Sequence, residues 1–546
     1  MILSQWNFSI DNAQKQNEFI LHGVKGEAVT VPHTWNIQPE YETYSGVAWY
    51  STALYIDKIK DVNILHFEAV FHTAEVFVNG ISVCKHSCSG YTPFEADITK
   101  CLKTGENIIT VKCDSSFSEN MLPHKADYDW ANDGGIIREV TFEQKDYFSV
   151  KTCRIKTEIL KYYDNGRCDA AVSADIELYD AVQNELAIEI KNGNGETVYQ
   201  LNDTVKDGIY KLVADIKNIE LWDTQNPEMY ILSVNDEKYK FGVREIRVDG
   251  DKIILNGKET KLIGVEWMPG SDPDYGTAET KEISYKFLQQ LKDLNCNFTR
   301  FHWQQADYIY DWCDEHGLMV QEEIPYWGSP KSSTEKQVGI AKQQADEMYA
   351  AHCNHPSIVC WGVGNELNGR SQKTIKYVKE LVSYFKSFDK TRLVNYVSNT
   401  MGNFASKFLF FNLKLLPDAT VFGDICMWNE YMGTWYRTTE YEKMMKYVCN
   451  QAKDKPFMVT EFGLCEPHFD GGDERRISIY KEKIKLYNDF NLNGWVYFSL
   501  NDYRTHCGEI GDGRFKRRVH GSTDLKGVIK PSFEYIKKQN KIDLGL

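Results

Sequence analysis

Ile358-Val359-Cys360-Trp361-Gly362-Val363-Gly364-Asn365-Glu366 is an apolar run that stops on an amide followed by a carboxylate. A parallel strand covered on both faces reads this way, apolar along its length with no alternation. Pro456-Phe457-Met458-Val459-Thr460-Glu461-Phe462-Gly463 repeats the build, again with one Glu near its C-terminal end. In a (β/α)8 barrel the residues at the C-terminal strand ends carry the chemistry. Two such glutamates, converging across one mouth, are the equipment for glycoside hydrolysis.

Working outward from these runs, strand and helix patterns alternate from about residue 248 to 546. Leu262-Ile263-Gly264-Val265 reads as a strand, and Ile283, Phe287, Leu291 and Leu294 follow at helical spacing. Further strands are expected at Phe298–His302, Leu318–Val320, Ile358–Glu366, Leu393–Val397, Val421–Asn429, Phe457–Glu461 and Gly494–Leu500. Eight strands alternating with helices predict closure into a barrel, with Glu366 ending the fourth strand and Glu461 the seventh. Residues 1–146 read as a β-sandwich of the jelly-roll kind. Glu75–Val78 alternates into Asn79-Gly80, a hairpin signal, and Ile109, Val111 and Cys113 alternate with Thr110 and Lys112. Residues 147–247 read as an immunoglobulin-like sandwich, with Leu186, Ile188 and Ile190 alternating before the turn Asn192–Gly195. The expected architecture is therefore multidomain, two β-sandwiches followed by a TIM barrel.

With 546 residues the chain exceeds one ordinary core. Its formal net charge of −15 argues against a nucleic-acid or anionic-membrane partner, because both need basic surface. Aromatic residues make up 13 % of the chain, enough for core volume and for platforms on which sugar rings stack. Fourteen cysteines show no disulfide-framework spacing; Cys84 and Cys88 form one close pair, and no matching pair completes a zinc site. Scattered thiols fit a reducing compartment. No export signal or run of 18 apolar residues is visible, so the expected location is cytoplasmic, or exported if a leader has been removed.

The chain resembles glycoside hydrolase family 2, the family of β-galactosidases, β-glucuronidases and β-mannosidases. Val31-Pro32-His33-Thr34-Trp35-Asn36, Gly90-Tyr91-Thr92-Pro93-Phe94 and Gly134-Gly135-Ile136-Ile137-Arg138 are similar to its sugar-binding-domain signatures. Leu221-Trp222 with Asn226-Pro227 resembles its middle domain, and Asn354-His355-Pro356-Ser357-Ile358 leading to Asn365-Glu366 resembles its acid/base signature.

The resemblance implies that Glu366 is the general acid/base and Glu461 the nucleophile, with carboxyl groups about 5–5.5 Å apart and retention of configuration. The acid must stay protonated and the nucleophile ionised. Asn365 resembles the Asn that hydrogen-bonds the sugar 2-hydroxyl, and Asn429-Glu430-Tyr431 resembles an Asn-x-Tyr element whose hydroxyl touches the nucleophile. Trp435 and Tyr436 follow, either flooring the pocket or simply packing. Arg300 and His302 resemble an Arg-x-x-His element with one residue missing, Arg300 supporting Glu461 and His302 meeting a sugar hydroxyl. Glu323 is expected to act through its neighbours. Asp129 resembles an Asp that reaches from the first domain into the barrel mouth.

The pattern departs from the family where Met268 stands near the position of a substrate-holding His and where Phe498 replaces a floor Trp, with Trp495 close by. Gly264–Pro269 leans toward the β-mannosidase version of its loop. Arg514, Lys516, Arg517, Arg518 and Lys526 are cations available for an acidic sugar; Lys526 falls in Asp524-Leu525-Lys526-Gly527, near the uronate-reading element of β-glucuronidases. The resulting expectation is a retaining exo-β-glycosidase, β-galactosidase-like first, with a β-glucuronidase or β-galacturonidase as the alternative and a non-catalytic carbohydrate-binding protein as the minor one. No cofactor and no metal are expected. The partner is a carbohydrate or glycoside, and homo-oligomers are common in the family.

Overall fold

The computed structural model describes residues 1–87, 89–118, 121–124, 129–180, 184–328, 335–402, 417–434, 440–464, 472–505 and 516–546. Trp435, Tyr436, Cys88 and Arg514 lie outside the described residues. No helix among those described is long and apolar enough to cross a membrane.

The chain begins with a sandwich of a six-stranded and a three-stranded antiparallel sheet. Trp6, Phe8, Tyr50, Val76 and Val111 of the larger sheet meet Leu65, Phe67 and Phe142 of the smaller across the core. The Asn79-Gly80 turn joins Thr73–Val78 to Ile81–His86 with both residues at positive φ (50° and 87°), the backbone a two-residue hairpin requires. Thr110, on the polar side of that alternation, is 0 % exposed, because the helix Gln16–His22 covers that face and Phe19 O accepts its hydroxyl. In the signature at 134–138, a Cβ on Gly134 would stand 2.1 Å from the Trp35 ring, so only glycine lets that loop close over the indole.

A second sandwich follows, with sheets of three and four strands and a core of Cys168, Val172, Ile176, Ile188, Leu232 and Phe241. Asn354 ties it to the barrel, accepting from Ile155 N (2.8 Å) and donating to Cys153 O (2.9 Å).

Eight parallel strands close the barrel in chain order: β1 (Leu262–Glu266), β2 (Phe298–Phe301), β3 (Met319–Glu323), β4 (Ile358–Asn365), β5 (Leu393–Ser398), β6 (Cys426–Asn429), β7 (Phe457–Phe462) and β8 (Gly494–Phe498). Helices including Lys281–Asp293, Asp307–His316 and Gln372–Phe388 pack outside them. Most expected strand limits shift by one to three residues, and two cases have a local cause or bear on the site. Residues 421–425 are not strand: Asp418 caps a 3-10 turn at Ala419–Phe422, accepting from Thr420 N, and β6 starts at Cys426. The last strand ends at Phe498 rather than Leu500.

The segment between the second sandwich and β1 forms a small antiparallel sheet, Ile246–Asp249, Lys252–Leu255 and Lys258–Thr260. Its Ile246, Ile253 and Leu255, with Trp222, pack against Leu262, Phe298, Met319, Met427, Met458 and Val496 of the barrel strands. Those apolar contacts lie at the N-terminal strand ends. The opposite, C-terminal ends hold the polar residues, as the barrel rule requires.

Candidate active site

Strands β1, β3, β4, β6 and β7 each carry a polar side chain at or beside their C-terminal end, at the mouth, and Arg300 at the end of β2 links those of β1, β3, β4 and β7. Its Nε donates to Glu323 Oε1 and its Nη2 to Glu323 Oε2 (3.1 Å). Nη2 also donates to Asn365 Oδ1 (2.9 Å), and Nη1 reaches Glu461 Oε1 (2.7 Å) and Glu266 Oε2 (3.4 Å). The planar guanidinium fork suits this sharing better than an ammonium would. Gly362 on β4 makes room for the Glu323 side chain, since a Cβ there would fall 2.0 Å from Glu323 Cγ.

Glu461, on β7, is 5 % exposed. Tyr431 donates to its Oε2 (2.9 Å), and His302 Nε2 stands 3.2 Å from its Oε1. Burial opposes its ionisation. The His302 hydrogen bond and the Arg300 charge outweigh that cost and hold its pKa at about 2. His302 itself is disfavoured as a cation by burial, but the Glu266 carboxylate on its other nitrogen lifts it to about 9.

Glu366 leaves the end of β4 with φ 52°, a left-handed backbone that a non-glycine residue adopts at a cost of about 1–2 kcal/mol. Its N–H donates to Val397 O (2.9 Å), and its Oε1 accepts from Asn429 Nδ2 (3.0 Å). The same Asn429 nitrogen donates to Asn365 Oδ1 (3.0 Å), and Thr460 fixes the Asn429 oxygen (2.9 Å). With its oxygen taken by Arg300 and Asn429, Asn365 has its amide orientation fixed and its NH2 left as the donor to a ligand.

The first sandwich contributes directly. Trp130 packs edge-on against His302 (4.5 Å between rings) and against Trp327 (4.6 Å). Beside it, Asp129 accepts from Tyr503 and from Arg518 Nε (2.7 Å), both in the segment after β8. Arg138 anchors the arrangement by donating to Tyr91 O (2.7 Å) and to Gln304 O in the loop after β2. Phe498 lies in an aromatic group with Met268, Trp130, Trp303, Trp327 and Tyr503, and its ring faces His302 and His520. His520 is buried, and burial together with the Arg518 charge keeps it neutral.

Arg300, Asn365, Asn429, Tyr431, Glu366, Glu461, His302, Asp129, Phe498 and Arg518 are thus joined by direct contacts around one mouth. Two expectations change. Lys526 is turned to the surface, its ammonium paired with Asp274 (2.6 Å) and its side chain 56 % exposed, so it is not brought to the site. His302 has both ring nitrogens turned to carboxylates rather than left for a hydroxyl. Glu266, Trp130, Trp327, Tyr503 and His520 went unassigned in the sequence. The signal for Glu266 was present, a lone charge at the end of an apolar barrel strand.

Glu266, His302 and Glu461 also lie close enough to share an ion. The Arg300 guanidinium, with Nη1 between the two carboxylates, already supplies the cation there. A second triad, Asp311, Asp314 and His355, is structural: Asp314 accepts from Ser357 N (2.9 Å) and pairs with His355 (2.6 Å).

Two family models match the chain: "Glycosyl hydrolases family 2, sugar binding domain" at residues 4–146 and "Glycosyl hydrolases family 2, TIM barrel domain" at residues 246–509. A β-galactosidase of Thermoanaerobacterium thermosulfurigenes is 29 % identical over 95 % of this chain and 72 % of its own length. A β-glucuronidase of Bacteroides fragilis is 28 % identical over 80 % of this chain and 64 % of its own length, so the chain spans less than two thirds of that relative. A crystal structure of a β-galacturonidase from Eisenbergiella tayi bound to galacturonate shares the fold, with TM-score 0.81, 22 % identity, and coverage of 99 % of this chain and 97 % of that one.

Proposed function

The chain belongs to the glycosyl hydrolases of family 2, and on that premise we propose that it is a retaining exo-β-glycosidase acting on terminal β-linked neutral hexosides, β-galactosides first. One observation carries the reading. Glu461 and Glu366 belong to a single hydrogen-bonded path, Glu461–Arg300–Asn365–Asn429–Glu366, at the ends of strands β7, β2, β4 and β6.

In the first step Glu461 attacks the anomeric carbon while the glycosidic C–O bond breaks and Glu366 gives its proton to the leaving oxygen. In the second step Glu366 takes a proton from water, whose oxygen displaces Glu461 and restores the free carboxylate. The donors from Tyr431, His302 and Arg300 keep Glu461 ionised for attack and receive its charge again as it leaves. Asn365 is the hydrogen-bond donor for the 2-hydroxyl, where such bonds strengthen in an oxocarbenium-like transition state. Trp130 and Asp129, reaching over from the first sandwich, close one side of the mouth and favour cleavage at a chain end.

A neutral glycone is supported by the pairing of three cations in the described part of the segment after β8: Arg518 with Asp129, Lys526 with Asp274, and Lys530 with Asp502; Lys516 and Arg517 form no ion pair among the described residues. The uronide reading rests on Arg518, whose guanidinium stands beside the mouth paired with Asp129. A panel of nitrophenyl β-glycosides separates them, with the galactoside expected to be turned over fastest and a uronide preferred only if Arg518 exchanges Asp129 for the sugar carboxylate. Hydrolysis of none, with a sugar still bound, would leave a carbohydrate-binding protein.

A further inference from the structure

Glu266 is a charged group of the site that the two-step displacement leaves without a part. It ends β1, is 0 % exposed, and pairs with His302 Nδ1. Across the same ring, Nε2 faces Glu461 Oε1 at 3.2 Å. A neutral imidazole has one N–H and one lone pair, so a neutral ring between two carboxylates would set its lone pair against one of them. The doubly protonated ring satisfies both. Trp130 and Phe498, at 4.5 and 6.1 Å between ring centres, hold the plane of the ring.

Among the described residues the charges around His302 are few. Glu266 faces it from β1, Arg300 from its own strand and Glu461 from β7, while Glu323 of β3 acts through Arg300. Trp130 brings no charge from the first sandwich, and His520, behind Phe498, is neutral.

We propose that Glu266 is a positioning residue that, through Nδ1, keeps His302 an imidazolium aimed at Glu461, so that a cationic donor holds the nucleophile. The proposal deepens the reading of Glu461 as nucleophile and rests on it. No bond forms or breaks at Glu266, and the imidazolium keeps both protons through the cycle. The rise of His302 to about 9 agrees with this arrangement, while burial raises the pKa of the Glu266 carboxyl against the opposing charges of His302 and Arg300.

The test is Glu266→Gln in the full chain, with pH–rate profiles on the best aryl β-glycoside and 15N NMR of the His302 ring. The expected results are a neutral His302 at pH 7 in place of an imidazolium, and an acidic limb of kcat/KM raised by about one unit or more. Near neutral pH kcat falls about tenfold or more, with KM held within about threefold. Glu266→Asp, which keeps the carboxylate, restores the imidazolium. In a His302→Asn background, Glu266→Gln moves the acidic limb no further. An imidazolium that persists in Glu266→Gln, or an acidic limb that stays in place, overturns the proposal. If Glu266→Gln does not fold, the wild-type ring decides, because a neutral His302 at pH 7 overturns it as well. Failure of the functional reading is distinguishable: the wild type would hydrolyse no glycoside while its His302 titration still reported on Glu266.

Discussion

Arg300 and Asn365 stand 2.9 Å apart, guanidinium nitrogen to amide oxygen, and that contact joins the two halves of the site. On one side Arg300 holds Glu461, and on the other Asn365 shares Asn429 with Glu366. The barrel brings together residues 65 positions apart, and the guanidinium fixes their register.

Arg300→Lys should separate the halves. A lysine presents a compact charge with no planar fork, and it cannot serve Glu323, Glu266, Glu461 and Asn365 together. Loss of oriented charge stabilisation at a reacting group costs about 10²–10³ in kcat. Glu323 and Glu266, both 0 % exposed, keep a poorer partner, so the melting temperature should fall too. Steady-state kinetics with thermal unfolding checks both.

Tyr431→Phe removes one donor from Glu461 and leaves the ring in place. The hydroxyl favours the ionised carboxylate, so its loss raises the Glu461 pKa and moves the acidic limb of kcat/KM to higher pH. The fall in kcat should be about 10–100-fold, below that of Arg300→Lys, because one neutral donor is lost rather than a charge.

Stability should fall on both sides of neutrality. Glu461 has its folded pKa depressed to about 2, so the stability it contributes is present above its unfolded value and is lost as pH falls toward 2. His302 is raised to about 9 and His352, between Glu322 and Asp307, to about 10. Their contribution is complete below the unfolded value near 6.5 and disappears as pH climbs to 9 and 10. Melting temperature against pH should therefore decline between about 6.5 and 10, and Glu322→Gln should flatten the upper part of that decline.

Trp130→Ala tests whether the first sandwich serves the site. The ring meets His302, Trp303 and Trp327, so its removal should loosen His302 and open one wall of the mouth. A rise in KM with a smaller fall in kcat is expected, with the barrel still folded by circular dichroism.

Much of this was legible in the sequence because barrel strands announce themselves. β4 and β7 are apolar along their length, and a polar residue ending such a run marks the mouth. The limits of β6 were not legible, since Val421 and Phe422 look like strand until Asp418 is seen capping a 3-10 turn. The small sheet at 246–260 was hidden too, because its apolar residues face barrel strands far along the chain. In the site, Arg300, Asn429 and Tyr431 could be placed from their neighbours in sequence. Glu266 could be placed at the mouth but not given a part, as its meaning comes from His302 one strand over and Glu461 across the barrel. Lys526 misled for the opposite reason: a lysine in a suggestive tetrapeptide pairs with Asp274, which only the fold brings near.

The most direct test of the central claim is to trap the glycosyl-enzyme. Incubation with an activated 2-deoxy-2-fluoro glycoside of the preferred sugar should label the protein once, and peptide mass spectrometry should find the sugar on Glu461. A label on another residue, or full turnover of an aryl β-glycoside by Glu461→Ala, would contradict the account.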